Sequence, residues 1–161
     1  LWAFARRQPL RPTAVDVNLL IGELHDLLRR ALPVGVAMRL ALAPGLPPAL
    51  VDRGQLEAAL LNLVLNARDA VSGQGEIVIA TRAAGAPGAP QVEVAVQDDG
   101  PGMTPDVQAR AFEPFFTTKE VGKGSGLGLA SVYGFAVQSG GSVRLDSAPG
   151  RCTTASCWWT R

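Results

Sequence analysis

Two glycine-rich stretches and a pair of asparagines carry the residues of this chain that could do chemistry. The stretch KEVGKGSGLGLASVYGF, from Lys119 to Phe135, holds five glycines and two lysines and then turns into a helical pattern. Glycine lets the backbone approach a ligand closely, and a helix start offers unpaired N–H groups and the positive end of a dipole. Together they predict an anion site, most often one for phosphate. A surface loop leading into a helix would use the same residues, so the reading needs partners elsewhere. Spacing excludes two familiar phosphate loops. A threonine stands where the P-loop needs its first glycine, and Gly124 follows Lys123 where it needs Ser or Thr. The dinucleotide fingerprint G-x-G-x-x-G fails too, because the glycines run 122, 124, 126, 128.

The partners are legible in three other places. In LLNLVLNARDAV, Asn62 and Asn66 project from one side of a helix that is otherwise almost wholly apolar. Amides on a face built for burial are expensive unless satisfied. Cross-helix hydrogen bonding would satisfy them; so would Mg²⁺, which takes a few protein oxygens together with phosphates and water. In VAVQDDGPGM, Asp98 falls at a strand end, where Gly100 and Gly102 let the backbone fold against a flat ligand. A carboxylate there can accept from an exocyclic amine such as adenine N6, although DDGPG is also an ordinary turn. In FEPFFTTK, Phe112 to Lys119, aromatic residues precede two hydroxyls and a cation. That suits a lid over a polyphosphate, or a local hydrophobic staple. The glycine density from Met103 to Gly124 predicts a segment ordered by ligand binding.

The elements that must position these residues follow from periodicity. The chain has 161 residues, the size of one domain, and a net charge of +1, which argues against a nucleic-acid footprint. Cys152 and Cys157 have neither zinc spacing nor a disulfide framework, which suits a reducing, cytoplasmic setting. There is no signal peptide and no apolar run long enough to span a bilayer. The chain opens on Leu in the middle of a helix-like pattern, LWAFARR, and so reads as a fragment. A helix is predicted over Asp16 to Leu32, with Val17, Leu20, Ile21, Leu24, Leu27, Leu28 and Ala31 on its apolar face. His25 falls on the polar face with Asn18, Gly22 and Arg29 and reads as a solvated histidine, despite the phosphoacceptor-like run HDLLRR. VGVAMRLALA reads as a strand, Asp52 to Val71 as a second helix, and GEIVIATR and QVEVAVQD as two strands joined by the loose connection AAGAPGAP. Short and longer helices are predicted over Thr104 to Ala111 and Ser125 to Ser139, and GSVRLDS and TTASCWW close the chain as a hairpin. Helices segregated to one face of a mainly antiparallel sheet make a two-layer α+β sandwich.

The four motifs, in this order, resemble the ATP-binding catalytic domain of sensor histidine kinases, within the wider family of gyrase, MutL-type repair proteins and heat-shock chaperone ATPases. They are the N box NLVLNARDA, the first glycine box DDGPGM, the F box FEPFF and the second glycine box GKGSGLGL. The resemblance covers residues from about 16 to 150 and implies the Bergerat fold, with ATP and Mg²⁺ bound. It implies that Asn66 holds Mg²⁺, that Asp98 holds adenine N6, and that Gly100 and Gly102 shape the base pocket. Lys119 and Lys123 would meet phosphates, Gly124, Gly126 and Gly128 would present N–H groups, and Asn62, Asp69, Thr117, Thr118, Ser125, Leu127 and Leu129 would complete the ATP site. Residues 1–15 resemble the exit from a dimerisation helix pair and a linker, leaving 16–161 as the catalytic domain. That pair would bring the phosphoacceptor histidine, a homodimeric full-length protein, possible membrane anchoring and a response-regulator receiver as partner, whereas the fragment alone would be monomeric. Asp69 stands where many kinases have Lys or Arg. Asn62 stands where the hydrolysing relatives place a glutamate base, and an amide cannot take a proton. The implied chemistry is therefore phosphoryl transfer to histidine rather than hydrolysis or mere nucleotide sensing. The tail departs from the family pattern, with Cys152 in place of glycine and CWWT in place of an aliphatic strand ending in proline.

Overall fold

A computed structural model describes residues 9–114, 116 and 128–160. Five strands form the main sheet: β2 (Val36–Leu42), β4 (Gly75–Ala86), β5 (Ala89–Asp98), β7 (Thr153–Thr160) and β6 (Ser142–Asp146), in that spatial order. β2 and β4 are parallel and every other pair is antiparallel. β1 (Thr13–Val15) and β3 (Ala49–Val51) make a separate two-stranded antiparallel ribbon. Three longer segments are helical, α1 (Val17–Arg30), α2 (Arg53–Val71) and α4 (Gly128–Gln138), with a short α3 (Pro105–Arg110) between the last two.

The helices start where capping side chains are available. Asp16 and Asp52 each accept a backbone N–H of the first turn, from Leu19 and Gln55, both at 3.1 Å. Asp52 also accepts the Arg11 N–H at 2.9 Å, which ties the N-terminal linker to α2. The Arg11 N–H, then that of Gln55, holds the Asp52 carboxyl below the usual carboxylate range. α2 ends at Ser72, whose backbone is left-handed.

Alternation puts Ile77 and Ile79 of β4, and Val92, Val94 and Val96 of β5, on the face that the helices cover. Leu20, Ile21 and Leu28 of α1, Leu56, Leu60 and Val64 of α2, and Val132 of α4 pack onto them. The unusual tail completes this core. Cys157 and Trp159 are buried, with the Trp159 ring 5.5 Å from Phe135, and burial pushes the Cys157 thiol up to about 12.

Several sequence expectations need revision. AAGAPGAP is not a loose connection, because β4 and β5 stay paired through to Ala86 and Ala89. The β1–β3 ribbon has too short a run on each side to show periodicity: β1 falls in the expected linker, and β3 lies where no element was expected. Leu27 is 57% exposed rather than part of the apolar face. Asn18 is not on a solvated face. Its amide donates to Ala43 O at 2.7 Å and accepts from Thr81 Oγ1 at 2.7 Å, joining α1 to the sheet. His25 is partly exposed, with Nδ1 3.4 Å from Asp26.

Candidate nucleotide-binding site

The site forms where β5 ends and the chain must turn without a side chain. Asp98, the last residue of β5, is 4% exposed and lies beside Thr153 of β7 in the ladder. Its Oδ1 accepts the N–H of Gly100 at 2.9 Å, and the backbone of Thr153 also bonds to it. Burial pushes its carboxyl above the ordinary range, while the Gly100 N–H pulls the other way. The adjacent Asp99 has a different duty. Its Oδ1 accepts the Glu76 N–H at 2.9 Å and its own N–H reaches Glu76 O, so it clips the start of β4. Of the two aspartates in DDGPG, Asp98 is the one buried at the strand end.

The two glycines predicted to make room are enforced by their neighbours. A Cβ on Gly100 would sit 2.7 Å from Ala70 O, near the end of α2, and 2.9 Å from Asp98 Oδ1. Gly102 has φ +79, and a Cβ there would overlap the carbonyl oxygens of Ala148 and Arg151. The loop from 147 to 151 locks this turn. Gly150 N–H donates to Pro101 O at 2.7 Å, and Met103 N–H donates to Ser147 Oγ at 2.8 Å. Ser147 in turn meets Thr153 Oγ1 at 2.7 Å. Sequence reasoning missed Ser147 and Thr153, because one hydroxyl in a turn and another at a strand start carry no local signal.

Asn62 and Asn66 stand one turn apart on α2, both half-buried. Asn62 Oδ1 lies 4.0 Å from where a Cβ of Gly128 would be, so the N box meets the first residue of α4, the helix that begins within the second glycine box. Asp69 is exposed and pairs with Arg68 at 3.3 Å. Leu129 is buried in the core, where it anchors α4 to the domain. Phe112 of the F box packs against Tyr133 of α4 with ring centres 5.5 Å apart, and the Arg110 guanidinium lies 4.4 Å over Phe116. Thr117, Thr118, Lys119, Lys123, Gly124, Ser125, Gly126 and Leu127 lie outside the described residues, as do position 115 and all of 117–124 in the expected lid.

A helical layer on a mixed sheet makes a two-layer α+β sandwich, with a buried aspartate closing its central strand and two obligatory glycines beside it. Residues 51–161 match the family described as Histidine kinase-, DNA gyrase B-, and HSP90-like ATPase, and the chain belongs to that family. It is 43% identical over 165 residues to the sensor kinase CckA of Brucella abortus, covering 96% of this chain and 18% of that protein. It is 37% identical over 144 residues to the sensory histidine kinase/phosphatase NtrB of Rhodobacter capsulatus, covering 80% of this chain and 40% of that one. The chain thus spans well under half the length of these relatives. Among solved structures, full-length ShkA in complex with AMPPNP superposes with a TM-score of 0.79 at 29% identity, over 97% of this chain and 33% of that one. The mycobacterial sensor histidine kinase MprB gives 0.75 at 25% identity, over 94% and 97%.

Proposed function

We propose that this chain is the ATP-binding catalytic domain of a two-component sensor histidine kinase, which transfers the γ-phosphoryl group of ATP to a phosphoacceptor histidine supplied by helices outside it. The observation that carries this reading is Asp98, a buried carboxylate held by backbone N–H groups beside two glycines that admit no side chain. A carboxylate has more acceptor sites than the backbone N–H groups of Gly100 and Thr153 use, so such a group has acceptor capacity left for the exocyclic amine of adenine. The relatives named sensor kinases, and the AMPPNP complex of ShkA, support the same assignment.

Asn66 offers one neutral oxygen of the kind Mg²⁺ accepts alongside phosphates, and Mg²⁺ would supply charge neutralisation during transfer. Asn62 stands next to the start of α4. There it can donate or accept a hydrogen bond but cannot take a proton from water. The chain's own work is then to bind and orient the nucleotide, with Lys119, Lys123 and the glycines of the second box on the phosphates. The partners in this reading are a dimerisation helix pair, with the working protein a homodimer, and a response-regulator receiver domain. Its setting would be the cytoplasm, with any membrane anchor elsewhere in a longer protein. Among the described residues no helix is long and apolar enough to cross a membrane.

Incubation with γ-labelled ATP and Mg²⁺, with and without a purified dimerisation helix pair, tests the proposal. Label should appear on the added helices and only in the presence of both partners. Rapid phosphate release by the chain alone would favour an ATPase, and label on His25 would overturn the view of that residue as a bystander.

A further inference from the structure

The main sheet has one edge whose surroundings point to a ligand of its own. β2 is the terminal strand and pairs only with β4. Two flanking bonds fix which of its backbone groups are already used. Gly35 O accepts from Gly75, and Ala43 N–H donates to Thr81 O, so the odd-numbered residues face β4. The N–H and C=O groups of Met38, Leu40 and Leu42 therefore face away from the sheet, and among the described residues no other element takes them.

A groove of about 840 Å³ runs beside this edge, between β2 and the C-terminal half of α1. Its apolar part is made by Leu32, Val34 and Met38, and Val34 is fully exposed. The α1 wall carries four ionisable groups: His25, Asp26, Arg29 and Arg30. Asp26 is opposed by His25 at 3.4 Å. Arg29 and Arg30 are exposed, and among the described residues neither is paired with a carboxylate.

We propose that this groove binds an acidic peptide segment in extended conformation, which adds a strand to β2 and sets its carboxylates against Arg29 and Arg30. Each part of the groove meets one property of such a ligand. The open backbone row supplies main-chain hydrogen bonds, the mode by which extended peptides join sheet edges. The apolar floor takes side chains at alternate positions. The two arginines select for negative charge and against basic segments. An open apolar edge without such a partner is a liability for self-association, normally blunted by charge or cover.

The test uses the whole chain and labelled synthetic peptides of about seven residues, the length of a common strand. One alternates Glu with Val, a second alternates Lys with Val, and a third is the Glu peptide N-methylated at alternate amides. The Glu peptide should bind, measured by fluorescence anisotropy, and the other two should bind at least about fivefold more weakly. Arg29→Glu with Arg30→Glu, two changes at an exposed helix end whose folding is checked by the melting temperature, should reverse the preference between the Glu and Lys peptides. Amide exchange followed by NMR gives the second readout. The Glu peptide should protect Met38 and Leu40, while Ala37 and Arg39, already bonded to β4, stay unchanged. No binding of the Glu peptide at millimolar concentration, equal binding of both charge types, or protection that does not alternate along β2 would each overturn the proposal.

Discussion

Met38 on β2, Ile77 on β4 and Asp98 on β5 are consecutive partners in one row of the sheet, yet Met38 at its open end and Asp98 further in live in opposite conditions. At Asp98 nearly every nearby group is committed. Its carboxylate takes backbone N–H groups, Gly100 is pressed against Ala70, Gly102 is held in a left-handed turn by the 147–151 loop, and Ser147 closes on Thr153. At Met38 the side chain is half-buried and the outward backbone is open. The same strand geometry yields an enclosed, hydrogen-bonded turn where neighbouring loops fold over it and an open edge where they do not. If Asp98 binds a nucleotide as proposed, its groups are already placed, so little ordering is needed on binding. The open end keeps its hydrogen-bonding capacity for something else.

The largest effect should come from filling the closed end. Gly102→Ala puts a methyl group onto two carbonyl oxygens at a positive φ, so it should cost about 3 kcal/mol or more of stability, read by urea unfolding. A near-neutral result would mean that the 147–151 loop yields easily and that the two regions differ little in enclosure.

Asp98→Asn should weaken ATP and ADP binding by about tenfold or more, since a charge-assisted hydrogen bond is lost, and calorimetry would measure it. Its effect on stability has the opposite sign. Burial raises the folded-state carboxyl above its unfolded value, so the group's favourable contribution is full below the unfolded pKa and lost as pH rises through the folded one. Unfolding measured from acidic to neutral pH should therefore show the asparagine variant gaining on the parent as pH rises. Loss of binding without that change in slope would indicate that Asp98 is less enclosed than its neighbours suggest.

A smaller effect is expected on the open side. A Cβ on Gly22 of α1 meets nothing within 4 Å, so Gly22→Ala should raise stability by about 0.5–1 kcal/mol through helix propensity alone. The contrast with Gly102 isolates tertiary enclosure, since both changes add the same methyl group. The smallest effect concerns reactivity. Exposed Cys152 should react with a thiol reagent in the native state, and buried Cys157, raised to about 12, only after denaturation. Native labelling of both would show that β7 opens more readily than its pairing on two sides implies.

Much of this molecule was legible along the chain, because its signals are local. The period of apolar residues located α1, α2 and the strands of the main sheet, and Asp16 and Asp52 marked the helix starts by the chemistry of their own side chains. The spacing of Asn62 with Asn66 placed both on one side of α2, and the glycines of DDGPG marked a turn after Asp98, since a turn that excludes side chains must be written in glycine. Other features depended on distant partners. Nothing in VAM distinguishes a central from an edge strand, so only the sheet order left β2 open. The charge of Asp99 looks the same as that of Asp98 in DDGPG, and only the approach of Glu76 made one a clip and the other a buried acceptor. Asn18 looked solvated on a helical wheel until Ala43 and Thr81 came within hydrogen-bonding distance. Sequence by itself determined which residues could bind, through their chemistry and local spacing. Tertiary structure decided which of them are enclosed, because burial and hydrogen-bond partners are set by residues far away in the chain.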